Sequence, residues 1–372
     1  MYLSQTYGLL KHGLMQRGVY IPSEVASRHD IAEGIVSLDS RKEITFAFCE
    51  DFFVKTFLSP ESHNGPKIQL HDGQIMLRSE KIMAEVDVVP LPRFLKDHLK
   101  NRNPVSHNIQ LDGNCLNLFL RSVRKSSGLN MELKDILSVI QSAFEEGVAD
   151  LVQLNMDYNE KPDRDFSKLD PVIKEIRKSF RTFISLRGFP PDNMRGIDGL
   201  YASGIDLINF PLEGFARSEK LEALQPRIRE ALKYAVSVFP QGAVSTELEL
   251  GPTDQLKEKI DQLGELGIAP HVKLPEKLEN SKVEFARIEE VSRHLTHCAH
   301  RDKLTLKWLY PTASFVTPLD ASFFVEDPKL AKLAVRPLYQ SMLGRKTSEG
   351  FTALRRKLRV RNIDDSFESA GL

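Results

Sequence analysis

Residues 150–157 read DLVQLNMD, and their alternation decides the architecture expected for the chain. Val152, Leu154 and Met156 fall on one side of an extended segment, and Gln153, Asn155 and Asp157 on the other, because side chains along a strand alternate with a period of two. The pattern recurs downstream. In 181–187, Ile184 and Leu186 oppose Ser185 and Arg187, and in 243–250, Leu248 and Leu250 oppose Ser245, Glu247 and Glu249. In 268–274, Val272 and Leu274 oppose His271 and Lys273. Helical stripes lie between these segments. MELKDILSVIQSAFEEG (131–147) places apolar residues at 133, 136, 137, 140 and 144 and stops at a glycine, the spacing of a one-sided helix. Further helices are expected over 169–180, 192–204, 218–239, 253–267 and 287–301.

With strands at 106–111 (SHNIQL) and 205–210 (IDLINF), six strand–helix units follow one another, and KLTLKWLY (303–310) offers a seventh strand. Such a run implies a parallel sheet with right-handed crossovers. An open doubly wound sheet and a barrel both fit that order. Strands buried on both faces of an open sheet read as continuous apolar runs, whereas these carry a polar side. The expected fold is therefore α/β, a (β/α) barrel, partial or complete, with its apolar set against the helices and its polar set in the interior.

The flanks differ in texture. KEITFAFCEDFFVKTFL (42–58) is rich in aromatic and β-branched residues, KIQLHDGQIMLRSE (67–80) alternates around Asp72-Gly73, and IMAEVDVVPLP (82–92) ends at prolines. Asp-Gly tolerates the positive φ of a type I′ hairpin turn. We expect a small β-rich N-terminal domain over 1–103, the barrel over 104–310, and a helical extension over 311–372.

Composition narrows the function. The chain has 372 residues, 41% hydrophobic and 27% charged, with 51 Lys+Arg against 51 Asp+Glu. That is globular, and the charge balance argues against nucleic-acid binding by bulk charge. No run reaches the ~20 apolar residues that span a bilayer. The first twenty residues lack a long apolar core and an A-x-A site, so no secretory signal, no membrane and a cytoplasmic location are expected. Cys49, Cys115 and Cys298 are widely spaced and odd in number, which does not suggest a disulfide framework. P-loop, GxGxxG, GxSxG and HExxH motifs are absent from the sequence, and with them the chemistries they support.

The polar set is the candidate site. Gln153, Asn155, Asp157, Ser185, Arg187, Glu247, Glu249, His271 and Lys273 would face inward, with Asn209 near the end of its strand. Buried charge must be paired or bound to something. One reading is an ion network satisfied within the protein. The other is a polar small-molecule ligand near the strands' C-terminal ends, where (β/α) barrels place their sites.

At this point the chain resembles a known family. LYASGIDLINFPLEGF (200–215), ALKYAVSVFPQGAVSTELELG (231–251) and LGELGIAPHVKLP (263–275) are similar in order and spacing to the approaches to strands four, five and six of the radical S-adenosylmethionine superfamily, its biotin-synthase-like members above all. The resemblance covers roughly residues 105–300. It implies a TIM-barrel-like fold, S-adenosylmethionine as cofactor, and Asn155, Asp157, Arg187, Asn209, Glu213, Glu247 and Glu249 as candidate binding positions. It also implies a Cys-x3-Cys-x2-Cys cluster in the loop after strand one. The matching stretch, DGNCLNLFLRSVRKSSGLNM (112–131), supplies Cys115 alone. One register puts Phe119 and Ser122 at the other ligand positions; the alternative puts Leu116, Leu120 and Val123 there. Neither supplies three thiolates. The motif is degenerate, so two functions are carried: an S-adenosylmethionine-binding enzyme with an unusual site, and a non-catalytic homologue that binds a small molecule or a partner enzyme.

Two other clusters complete the reading. His294, His297 and Cys298 sit at helical spacing in HLTHCAH (294–300). They are either zinc-type ligands or a helix end carrying exposed histidines. The basic stretch 344–362 suggests an amphipathic helix, followed at once by the acidic IDDSFES.

Overall fold

In a computed structural model of the chain, residues 3–38, 41–48, 52–61, 65–79, 82–100, 108–113, 115–121, 129–156, 162–180, 182–213, 224–274, 281–306, 309, 312, 314–318 and 321–324 are described. Cys49, Asp157 and the 344–362 segment lie outside them. The chain divides into two compact units, one formed by residues 1–102 with 247–335 and the other by 103–246 with 336–372.

The first unit begins with helices α1 (Leu3–Arg17), α2 (Ser23–Ala26) and α3 (His29–Gly34). Strands β1 (Val36–Leu38), β2 (Arg41–Phe48), β3 (Phe52–Phe57), β4 (Lys67–His71), β5 (Gln74–Ser79), β6 (Ile82–Glu85) and β7 (Asp87–Val88) follow, then α4 (Arg93–Lys100). The β-rich N-terminal region expected from sequence is present, as two small antiparallel sheets. The Asp72-Gly73 hairpin forms as read: both residues have positive φ, 51° and 83°, and His71 pairs with Gln74 across a two-residue loop. The aromatic stretch 42–58 is a β2–β3 pair in which Phe48 faces Phe52.

The second unit holds β8 (Ile109–Asp112), β9 (Cys115–Leu120), α5 (Leu133–Glu145), β10 (Leu151–Met156), α6 (Pro162–Ser179), β11 (Phe183–Arg187), α7 (Arg195–Ser203), β12 (Leu207–Asn209), α8 (Gln225–Val238) and the start of β13 (Val244–Glu249). Strands β9 to β13 pair in parallel, each with the next. Leu118, Leu154, Leu186, Ile208 and Val244 form one cross-strand row on the apolar side. They are matched by Ile136, Val139 and Ile140 of α5, Ile173 and Ile176 of α6, and Ile228 and Leu232 of α8, all buried.

The remainder of the first unit is α9 (Thr253–Glu265), β14 (Ala269–Lys273), α10 (Ser281–Arg301), β15 (Phe315–Val316) and a 3-10 turn at Ala321–Phe324. That turn packs on α1. Lys11, fully buried, donates from Nζ to the Thr312 carbonyl at 3.0 Å and lies 4.9 Å from the centre of the Phe52 ring. Phe52 in turn meets Phe323, with ring centres 4.5 Å apart and the rings tilted by 31°. A buried ammonium is tolerable here because a carbonyl and an aromatic face receive it.

Strands β8 to β15 form one sheet in chain order. The order never reverses, so the topology has no switch point of the doubly wound kind. Two expectations need correction. Residues 115–120 of the segment read as a loop after strand one are strand β9, and the expected first strand is β8, antiparallel to it. Among the described residues the last strand is β15 at 315–316, antiparallel to β14; of the expected strand 303–310, residues 303–306 and 309 are described and lie in no strand, Leu306 having helical turn geometry.

One buried ion pair ties the second unit at the strands' N-terminal ends. Arg177 of α6 donates to the carboxylate of Asp206 and to the carbonyls of Thr182 and Gly204. Asp206 also accepts from the Ile184 amide at 2.9 Å. Both side chains are about 95% buried. Gly204 is required twice over: its φ is +120°, and a Cβ there would lie 2.8 Å from Arg177 side-chain atoms. Removing one partner strands the other charge in the interior. Asp206→Ala should therefore cost about 3–5 kcal/mol in urea unfolding, and adding Arg177→Met should recover much of that loss. Additive costs in the double variant would show the pair to be uncoupled.

Candidate functional site

The parallel register sorts the polar side of β9–β12 into rows. The row nearest the strands' N-terminal ends is Cys115, Leu151 and Phe183, with Asp112 of β8 beside Cys115. The next is Gln110, Asn117, Gln153, Ser185 and Leu207. The third, at the C-terminal ends, is Phe119, Asn155, Arg187, Asn209 and Ser245. Polarity rises along the strands.

The middle row and Asn155 form a ladder of side-chain amides. Gln153 Nε2 donates to Asn117 Oδ1 at 2.8 Å and to Asn155 Oδ1 at 3.0 Å. Asn155 Nδ2 donates to Asn117 Oδ1 at 3.1 Å, and Ser185 Oγ to Gln153 Oε1 at 3.3 Å. All four residues are buried. Such a network stays favourable only while its members are hydrogen-bonded.

Asn209 stands apart. It is 4% exposed, and its Oδ1 is buried without a hydrogen-bond partner. Its row neighbours are Arg187, half-buried, and Ser245, whose hydroxyl turns toward the Ile208 carbonyl at 3.5 Å. Gly188 fixes this end of the sheet. Its amide donates to the Asn209 carbonyl at 3.1 Å, and a Cβ there would meet the Met156 backbone oxygen at 3.2 Å. Arg227 of α8 holds the loop that follows, through Asp192 and the Pro190 carbonyl.

The other expected residues are distributed as follows. Glu213 is half-buried beyond β12. Cys115 is fully buried at the start of β9, in the row farthest from Arg187 and Asn209. Glu247, His271 and Lys273 belong to the first unit, the first two buried and Lys273 half-buried, while Glu249 is exposed. His271 Nε2 is buried without a partner, and burial pushes its pKa down to about 4. The helical histidines separate: His294 Nε2 meets Asp261 Oδ1 at 2.9 Å, His297 is exposed, and the Cys298 thiol donates to Asp302 at 3.2 Å. Burial, with Asp302 beside it, pushes that thiol up to about 12, away from thiolate character. Among the described residues no group of three His, Cys, Asp or Glu side chains is placed to hold a metal ion.

The donor set around Cys115 does not fit a four-iron cluster. Among the described residues it offers one thiol, inside a strand and flanked in the register by Asp112 and Leu151, where three thiolates are needed. Asn117 was the member of the site that sequence reading missed. Its signal was available: CLNLFL (115–120) alternates as 150–156 does.

Comparison with known proteins adds little. No protein-family model and no curated protein matches the chain. A solved dihydropteroate synthase from Coxiella burnetii, in complex with pteroic acid, is similar at 15% identity over 47% of this chain and 82% of that one, with a TM-score of 0.26. Among the described residues no helix is long and apolar enough to cross a membrane.

Two buried histidines set a pH dependence. His271, lowered by burial, and His12, lowered by burial and then by Arg17, both fall from 6.5 to about 4. The unfolded chain takes up these protons first as pH drops, so the contribution is whole above about 6.5 and is lost toward about 4. Each histidine accounts for at most about 1.4 kcal/mol per pH unit across that window. Urea unfolding of the His271→Leu variant between those pH values should show a shallower decline; an unchanged slope would rule His271 out as its source.

Proposed function

We propose that the protein binds a small, carboxylate-bearing polar molecule at the C-terminal ends of β10–β12, on a (β/α)-barrel-like sheet. The observation that carries this reading is the third row: Arg187 and Asn209 side by side, above an amide ladder that is satisfied within the protein. A guanidinium has five donors in a planar fork suited to a carboxylate. A buried acceptor left unmet costs about 1–3 kcal/mol, which a ligand donor would recover. The uninterrupted strand order and the single polar face support a barrel-like arrangement, whose ligands gather at the strands' C-terminal ends.

S-adenosylmethionine, implied by the family resemblance, belongs to this ligand class and is the first compound to test. With no thiolate set at Cys115, no radical step is assigned, and a binding role without chemistry fits the same residues. Thermal unfolding with S-adenosylmethionine, its hydrolysis products and amino-acid derivatives should show a raised midpoint for at least one carboxylate. The Arg187→Met variant should fold and lose that shift. A variant that unfolds without any ligand having stabilised the parent would instead mark Arg187 as part of a structural ion network.

A further inference from the structure

Helix α1 buries two side-chain nitrogens that the fold leaves without partners. His12 is 8% exposed, and its buried Nε2 makes no hydrogen bond. Gln16, one turn further along, has its amide nitrogen buried in the same condition. Residues four apart lie on one face of a helix, about 5–6 Å from each other. Beside that face stands Phe285 of α10, half-buried, its ring centre 5.3 Å from that of His12 and the rings at 65°. Both helices belong to the first unit, whereas the row carrying Arg187 belongs to the second.

Other polar groups along α1 are met. Lys11 Nζ donates to the Thr312 carbonyl, and the Leu14 carbonyl accepts from Thr56 Oγ1 at 2.6 Å. Arg17 folds back along the helix: its Nη2 lies 3.3 Å from where a Cβ on Gly13 would sit, and it donates to Ser79 Oγ at 3.4 Å. The guanidinium is thereby brought close enough to His12 to disfavour a second positive charge there, which adds to the effect of burial.

Burying a donor without an acceptor is costly. The Gln16 nitrogen can only donate, and His12 Nε2 donates in one neutral tautomer and in the imidazolium. Two donors on one helix face ask for acceptor oxygens at neighbouring points. A carboxylate or phosphate supplies several on one group and brings no donor that would go unmet. Its charge is also favoured by Arg17, which in the last turn of α1 offsets the negative end of the helix dipole.

We propose that the first unit holds an anion site between α1 and α10, in which His12 Nε2 and Gln16 Nε2 donate to one carboxylate or phosphate group. The site is separate from the row of Arg187 and does not depend on the binding reading above.

Thermal unfolding of the full chain at constant ionic strength tests it, with chloride replaced by inorganic phosphate or by acetate, and with acetamide as the neutral counterpart of acetate. At least one of the two anions should raise the midpoint, and acetamide should not; the anion with the larger effect identifies the headgroup. His12→Leu and Gln16→Leu should each weaken the anion about tenfold or more, while His12→Gln, which keeps a donor, should retain it. Arg187→Met should leave this effect in place. An anion effect lost in Arg187→Met but kept in His12→Leu would belong to the strand row and overturns the proposal. So does equal stabilisation by acetamide, or none by either anion. In chloride alone the two leucine substitutions should be additive, because neither side chain bonds the other. Strong coupling between them would mean that His12 and Gln16 satisfy each other, and it overturns the proposal even if a variant is poorly stable.

Discussion

The period of two along β9–β12 is the constraint on which the second unit depends. A parallel strand with a helix layer on one side must give that side to apolar residues. Leu116, Leu118 and Leu120, Val152 and Leu154, and Ile184 and Leu186 are all buried on it. The alternate set is thereby committed to the opposite face, wherever its chemistry leads. Apolar residues on both sides would satisfy burial with fewer conditions. The chain instead places three carboxamides and a hydroxyl on successive strands, in a register that lets them bond to one another. A one-residue slip of β10 would turn Gln153 and Asn155 into the helix layer, so the ladder and the apolar face enforce the same register.

Charge is handled differently at the two ends of these strands. At the N-terminal ends, Arg177 and Asp206 are buried as a pair, with carbonyls and an amide completing their hydrogen bonds. That knot joins α6 to the chain before β11 and to the start of β12. At the C-terminal ends a half-buried arginine stands among amides. A neutral ladder beneath it avoids the several-kilocalorie desolvation of further ions in the middle row. The first unit follows another rule again. Its Asp261, Arg301 and Asp302 form an ion cluster on α9 and the end of α10, with Arg301 half-exposed. Such pairs contribute little individually.

Much of this was legible before any coordinates. The alternation in 150–157 and 181–187 identified strands, faces and most of the amide set, because a half-polar strand writes its two environments into adjacent residues. The Asp72-Gly73 turn was equally plain, since few other pairs take two positive φ values. What stayed hidden had physical causes. Strand β9 was obscured by Cys115, which drew attention as a cluster ligand, although Leu116, Asn117 and Leu118 alternate as well as any other segment. Helix α1 was not anticipated: Lys11 and His12 are buried, against the residue types that normally mark a solvated face. The separation of His294 from Cys298 depended on partners from elsewhere, Asp261 and Asp302, that helical spacing alone does not reveal.

Asn117, Asn155 and Asn209 carry the same side chain on the same face of β9, β10 and β12, and only their neighbours distinguish them. Asn117 and Asn155 each accept from Gln153, a residue with both a donor and an acceptor to share. Asn209 is flanked by Arg187, which has only donors and does not turn one to its Oδ1, and by Ser245, whose proton goes to a backbone carbonyl. The ladder therefore stops one strand short of β12. Strand alternation predicts that all three asparagines are buried together. Register decides which of them is left with an unmet acceptor, and that acceptor lies in the row where the sheet also presents its arginine.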